Sequence, residues 1–500
     1  MTSLLQQPEV WLVAVPVLAA CVSFAMNGRA RLAVVIPVIV FVSMAMALTT
    51  WKLSDSGAYI HQIGGWIAPL GISWRIDGLA VVMLLLTTLV GAGVSVYSLA
   101  YFGDSREERH RERYFWPLWF FLWGSLNAIF LSNDIFNWYV SLELSGLAAV
   151  ALITLSNKPE ALTGGMRYLI LALSASLFYL LGVSLLYGQY GTLDLDGLAN
   201  VIERQHLTMT AMAVMTIGMA IKAALFPVHF WLPPAHANAP SPVSAVLSAL
   251  VVKGGFYIQL RLMTELWPID MTVALSNGLG LLGGAAIIWG SYHAIRQSHL
   301  KPLIAYSTVA QLGYLFLMFP LMTIGWWADN DWSSRAWAGG IYQALSHGLA
   351  KASLFLSAGV LIHARGSDNL EGLRGLGERL PMTATAMALA GISLMGIPPG
   401  AGFIAKWLML TVAMSSGQWL WAGIMIVGGL MAVGYLFRIF RRLMTTSDEG
   451  DYHRPSRIME YAALYLAILS IAFGLSSLPV FELLKHGATS LLGTYLGVTP

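Results

Sequence analysis

The chain has 500 residues, 57% of them hydrophobic and 11% charged, with 28 Lys and Arg against 25 Asp and Glu and a net charge of +3. That charge content is less than half the roughly 25% of an average soluble domain, which excludes a globular catalytic module and leaves an all-α polytopic membrane protein. The single Cys21 excludes a disulfide framework, a thiolate zinc site and an iron–sulfur cluster held by this chain alone, and the few scattered basic residues argue against nucleic acid as a partner.

A bilayer-spanning helix needs about 20 mostly apolar residues. Apolar windows near 8–26, 30–51, 76–102, 114–131, 135–156, 163–187, 207–227, 242–266, 271–294, 302–320, 333–363, 381–415, 418–440 and 457–481 predict fourteen spans. The first window lacks the charged n-region of a signal peptide and reads as a retained helix. Trp116, Trp119 and Trp123 in the fourth read as an interfacial belt or as helix packing. Loop charge orients the bundle, because cytoplasmic loops are enriched in Lys and Arg. Alternate loops carry eighteen such residues on one side, among them Arg109, Lys158, Lys301, Arg374 and Arg442, against Lys52, Arg75, Arg204, Arg335 and Lys485 on the other. Both termini are therefore expected outside a bacterial-type cytoplasmic membrane.

Two spans are interrupted. Pro227, Pro233, Pro234, Pro240 and Pro242 follow Lys222 closely, and Gly396-Ile397-Pro398-Pro399-Gly400 precedes Lys406. A proline removes a backbone donor and clashes one turn back, so neither run continues a helix, and such backbone is tolerated only where it faces protein or water. The breaks fall in the seventh and twelfth spans, five apart, and an odd number of crossings reverses direction. The sequence is therefore divided into spans 1–3 (residues 1–113), two inverted five-helix repeats (114–270 and 271–443), and a last helix and tail (444–500).

Ionisable groups inside spans are costly and mark function by default. Glu143 is the carboxylate that lies well inside a span, read either as a structural ion-pair partner or as the counter-charge of Lys222. Opening and closing such a pair can move a lysine across the range where it releases a proton. Lys253 lies among small neighbours. His347 and Lys351, four apart, share a helix face and could relay in partial redundancy. Lys406 follows the second break without an acidic partner in its own span, while Arg261 reads as a surface anchor near the end of the eighth. Glu143, Lys222, Lys253, His347, Lys351 and Lys406 thus form a candidate proton relay across the bilayer midplane. His229, His236 and His293 lack metal-binding spacing, so neither a metal nor a cofactor is expected.

Three motifs carry a family resemblance. Residues Ile221-Lys222-Ala223-Ala224-Leu225-Phe226-Pro227-Val228-His229-Phe230-Trp231-Leu232-Pro233-Pro234-Ala235-His236, continuing to Lys253-Gly254-Gly255, resemble the signature of antiporter-like proton-conducting subunits. That family is shared by respiratory complex I, membrane-bound hydrogenases and Mrp cation/proton antiporters. The stretches from His347 to Gly359 and from Gly396 to Lys406 agree with it. The resemblance implies fourteen spans with inverted repeats, a glutamate–lysine pair at Glu143 and Lys222, and relay groups at Lys253, His347 or Lys351, and Lys406. Lysine at 406 looks like the D-type Mrp subunit and the complex I subunit beside the quinone arm. The His236 loop is closer to the complex I and hydrogenase style. A chain ending near 500 without a long lateral helix differs from the largest complex I member. The implied partners are other membrane subunits, lipid, and protons with Na+ as a second candidate ion; inorganic-carbon uptake is a further setting. A free-standing solute symporter and a structural anchor are the competing readings.

Overall fold

The structure, a computed structural model, describes residues 7–26, 28–103, 106–267, 269–328, 331–446 and 452–486. The expected C-terminal tail beyond 486 lies outside the described residues. The longer helices are α1 (Pro8–Ala25), α2 (Val35–Ser56), α3 (Gly78–Tyr101), α4 (Arg106–Leu131), α5 (Ile135–Thr154), α6 (Pro159–Tyr190) and α7 (His206–Lys222). They continue with α8 (Ser241–Leu266), α9 (Ile269–Arg296), α10 (Leu300–Ala328), α11 (Trp332–Arg365), α12 (Pro381–Met395), α13 (Ala401–Ser415), α14 (Trp419–Met444) and α15 (Arg457–Leu475). Among the described residues twelve helices are long and apolar enough to cross a membrane, and α7, α12 and α13 are the shorter apolar ones. The protein is an all-α polytopic membrane protein. The fourteen windows read from the sequence treat α12 and α13 as one interrupted crossing.

Local chemistry sets the helix ends. Asp77 accepts from Ala80 N at 2.9 Å to cap α3, and Asp134 accepts from Asn137 N at 2.6 Å to cap α5. Pro159 and Pro381 sit in first turns, where a missing N–H costs nothing. Gly396 ends α12 with φ +79°, a conformation that side chains with a Cβ adopt at a cost.

The centre of the bundle is α8, α10 and α11. The apolar window of α8 is buried throughout, and α11 packs against α3, α8, α10, α12, α13 and α15. Small residues allow the close approaches: a Cβ on Gly348 of α11 would stand 3.2 Å from the Ala249 carbonyl of α8, and one on Gly313 of α10 would strike the Gly283 carbonyl of α9. By contrast α1, α2, α6 and α14 leave most of their apolar surface outward.

Several readings change. The loop between α2 and α3 carries an antiparallel hairpin, β1 (Tyr59–Gln62) and β2 (Ser73–Ile76), that no helical period signals. Trp116, Trp119 and Trp123 are fully buried packing residues and not a belt; Trp119 Nε1 donates to Ser95 Oγ at 2.9 Å. Arg261 is no surface anchor: it is buried and held by Asp77 and Glu265, partners too far along the chain or too near the helix end to stand out in a window. Lys301, assigned to a loop, is buried and donates to the Ala239 carbonyl.

Candidate functional site

The first break begins at Lys222, the last residue of α7. Beyond it Ala224 adopts φ +52°, Leu225 N turns back to the Ala220 carbonyl at 2.9 Å, and Trp231 Nε1 satisfies the Ile221 carbonyl at 3.1 Å. The freed backbone is thus answered from within the break. Lys222 Nζ stands 3.7 Å from Glu143 Oε1 on α5, an ion pair longer than a hydrogen bond. Gly146, one turn along α5, makes room for the ammonium, since a Cβ there would lie 3.4 Å from Nζ.

Lys253 lies on α8, whose backbone packs against the stem of Lys222 at Gly255. A π-helical turn, Leu247–Val251, immediately precedes it. This wider turn lets the Ser248 carbonyl accept from Lys253 Nζ at 2.7 Å. The second contact of that ammonium is His347 Nδ1 on α11, at 2.6 Å. Lys351, one turn further along α11, donates instead to α10, to the Ile304 carbonyl at 3.0 Å and to Ser307 Oγ. His347 and Lys351 therefore share a helix and bond to different neighbours.

The second break supplies the end of the row. Leu394 would give its carbonyl to the residue four positions on, but that residue is Pro398, which has no N–H. The orphaned oxygen accepts from Lys406 Nζ at 2.6 Å and from Gln311 Nε2 at 3.3 Å. Gln311 in turn receives Gln343 Nε2 of α11 on its Oε1 at 3.1 Å. Lys406 also lies 4.5 Å from the centroid of the Tyr314 ring, a cation–π contact that replaces the missing carboxylate.

The six candidate residues therefore lie on α5, α7, α8, α11 and α13: Glu143 pairs with Lys222 and Lys253 with His347, while Lys351 and Lys406 each donate to a backbone carbonyl, with no continuous chain of direct contacts. Sequence reasoning missed Gln311 and Gln343, neutral amides whose only signal was a polar residue at the core face of an apolar helix. His236, which lacks metal-binding spacing and belongs to the signature stretch, is buried and stacked on Phe355 with ring centroids 4.8 Å apart. Among the described residues no three His, Cys, Asp or Glu side chains gather as a metal-ligand set.

Residues 132–432 match the family described as NADH:quinone oxidoreductase/Mrp antiporter, TM. The chain belongs to this family. Residues 66–115 also match NADH-ubiquinone oxidoreductase (complex I), chain 5 N-terminus. The N-type NADH-quinone oxidoreductase subunit of Desulforudis audaxviator is 33% identical over 386 residues, covering 76% of this chain and 74% of that protein. The D-type Na(+)/H(+) antiporter subunit of Alkalihalophilus pseudofirmus is 27% identical over 459 residues, covering 90% and 89%. A chain of the Mrp complex from Dietzia superposes with TM-score 0.87 at 24% identity, covering 100% of this chain and 99% of that one. A chain of the archaeal membrane-bound sulfane sulfur reductase gives TM-score 0.88 at 23% identity, covering 99% and 100%. These two likenesses establish the fold.

Proposed function

We propose that this chain is a proton-conducting, antiporter-like subunit of a larger energy-coupling membrane complex. The observation that carries the reading is the contact of Lys253 Nζ with His347 Nδ1, at 2.6 Å, between the Glu143–Lys222 pair and the Lys406 break. Lysine and histidine are the cationic side chains that exchange protons inside proteins, whereas guanidinium does not. A row of such groups in the buried centre suits a proton and offers no anchor for a bulky solute. Glu143 with Lys222 forms the pair whose opening or closing changes the charge felt along the row, and Lys406 passes protons to or from the carbonyl-lined break.

The same reading places the Lys- and Arg-rich loops in the cytoplasm, both termini outside, and the chain in a bacterial-type inner membrane with fourteen crossings. The matched positions of the two breaks support inverted repeats at 114–270 and 271–443. Partner membrane subunits supply the driving reaction, with Na+ the second candidate ion. The test is to purify the native assembly, identify its companions and follow proton movement after reconstitution into vesicles. Companion membrane subunits with proton-coupled turnover are expected. A solitary chain that takes up a solute without them would overturn the reading.

A further inference from the structure

The helix that carries Lys253 ends differently on its two sides. At the Ser241 end of α8 a cavity of about 440 Å³ is lined by Tyr101, Arg111, Lys158, Ser241, Lys301 and Asp368. At the Glu265 end, which belongs to the side with few basic loops, the helix runs into a filled cluster of charges. Arg261 donates from Nη2 to Asp77 Oδ1 at 2.7 Å, from Nη1 to Glu265 Oε1 at 2.8 Å and from Nε to Tyr257 Oη at 3.1 Å. Glu265 Oε2 accepts from Arg75 Nη1 at 2.5 Å, and the other arm of Arg75 pairs with Asp196. Asn133 Nδ2 holds Asp196 Oδ2 at 2.9 Å, and Ser73 Oγ holds Asp194 Oδ2 at 2.7 Å. Burial falls outward: Arg261 is 3% exposed and Asp196 49%.

We infer that Arg261, backed by Asp77, Glu265 and Arg75, is a seal that stops protons at Lys253 from escaping directly along α8 and commits them to the lateral row. Lys253, Tyr257 and Arg261 succeed one another at intervals of four, so they lie along one stripe of the helix. Tyr257 commits its phenol proton to the Phe130 carbonyl at 2.7 Å and accepts from Arg261, so neither side of the hydroxyl is free to hand a proton on. The next group is a guanidinium, which does not deprotonate in proteins and whose fixed positive charge repels an arriving proton. Fixed arginines act as electrostatic barriers to protons in channels that must exclude them. The three carboxylates paired with Arg261 and Arg75, namely Asp77, Glu265 and Asp196, let the cation persist in the core, and the hairpin strand β2, which carries Arg75, ties the plug to the surface.

This inference rests on the proton-conducting reading. The test uses the full native assembly in vesicles, with an imposed pH gradient, no driving reaction and a pH-sensitive dye inside. Arg261→Met and Asp77→Asn both break the same ion pair, but only the first removes the positive charge. Arg261→Met should raise passive proton leak about tenfold, a barrier lowered by about 1.4 kcal/mol, while Asp77→Asn, which leaves the guanidinium on Glu265 and Tyr257, should leak less than Arg261→Met. If Arg261→Met fails to assemble, Arg261→Met with Asp77→Asn removes the pair in balance, keeps a capping side chain on α3 and should leak equally. Equal leak from Arg261→Met and Asp77→Asn, or parent-level leak in the charge-free variant that assembles, overturns the seal. Failure of the parent assembly to move protons when driven would instead overturn the proposed function.

Discussion

Lys253 Nζ and His347 Nδ1, on helices α8 and α11, lie 2.6 Å apart. At that separation one nitrogen must present its lone pair to the other, so the two groups share a proton and do not both carry a full complement. Sequence spacing coupled His347 to Lys351. The contact couples it to Lys253, and Lys351 is engaged by α10 through Ile304 and Ser307.

The first prediction follows from that contact. Lys253→Met and His347→Gln should each reduce proton-coupled transport by about tenfold or more, and the double variant should be no worse than the more severe single, because one shared step is lost in either case. Combining His347→Gln with Lys351→Met should instead compound the loss. Rates in reconstituted vesicles for these single and double variants decide it; additive Lys253 and His347 losses would dissolve the pair.

The second concerns Glu143 and Lys222. Lys222→Met keeps the stem over Gly146 and removes the charge, so transport should be abolished while membrane insertion is unchanged. Glu143→Gln should do comparable damage. Glu143→Asp should retain part of the activity, since the 3.7 Å pair is electrostatic and tolerates a shorter reach better than the loss of charge. Identical behaviour of the Gln and Asp variants in the vesicle assay would show that charge is not the property that matters there.

Much of this was legible in the sequence because membrane burial is a strong constraint on a one-dimensional pattern. Apolar windows located the helices, and five prolines after Lys222 and the Gly-Pro run before Lys406 located the breaks. What stayed hidden depends on contacts between distant segments. Arg261 meets Asp77 across 184 positions, and Gln343 meets Gln311 across 32, so neither pairing leaves a local period. The π turn before Lys253 is equally silent, because its sequence, Leu-Ser-Ala-Leu-Val, is ordinary helix. Glu9 shows the same limit: at the start of α1 it is buried with Tyr59 Oη at 3.0 Å, across 50 positions, and His61 Nδ1 at 3.1 Å.

A third prediction tests the break without altering any charge. A Cβ on Gly396 would stand 2.7 Å from Lys406 Cδ, and φ there is +79°. Gly396→Ala should therefore cost stability of about 1 kcal/mol or more and push the Lys406 stem off the Leu394 carbonyl. Transport should fall while the assembly still forms, as read by size-exclusion yield and vesicle rates. Gly417→Ala supplies the comparison: φ is +73° but a Cβ meets nothing within 4 Å, so its strain should leave transport intact. Parent-level transport in Gly396→Ala would detach the break from Lys406.

The last prediction separates a titrating role for Lys406 from a purely electrostatic one. Its ammonium is held by the Leu394 carbonyl at 2.6 Å and the face of Tyr314 at 4.5 Å, contacts that any cation of suitable reach can make. Arginine can keep the positive charge, donate to the same oxygen and stack on the same ring, but it cannot release a proton. If Lys406 only positions charge, Lys406→Arg should work nearly as well as the parent and Lys406→Ala should fail. If Lys406 passes protons at the break, both should fail, with Lys406→Arg losing about as much as Lys406→Ala. We expect the second outcome, since the carbonyl of Leu394 is already shared with Gln311 and gains nothing from a permanent cation, whereas a lysine that binds and releases a proton completes the row. Proton-coupled transport by the two variants, at matched assembly levels, measures the difference directly; near-normal turnover in Lys406→Arg would move the exchange step to another group.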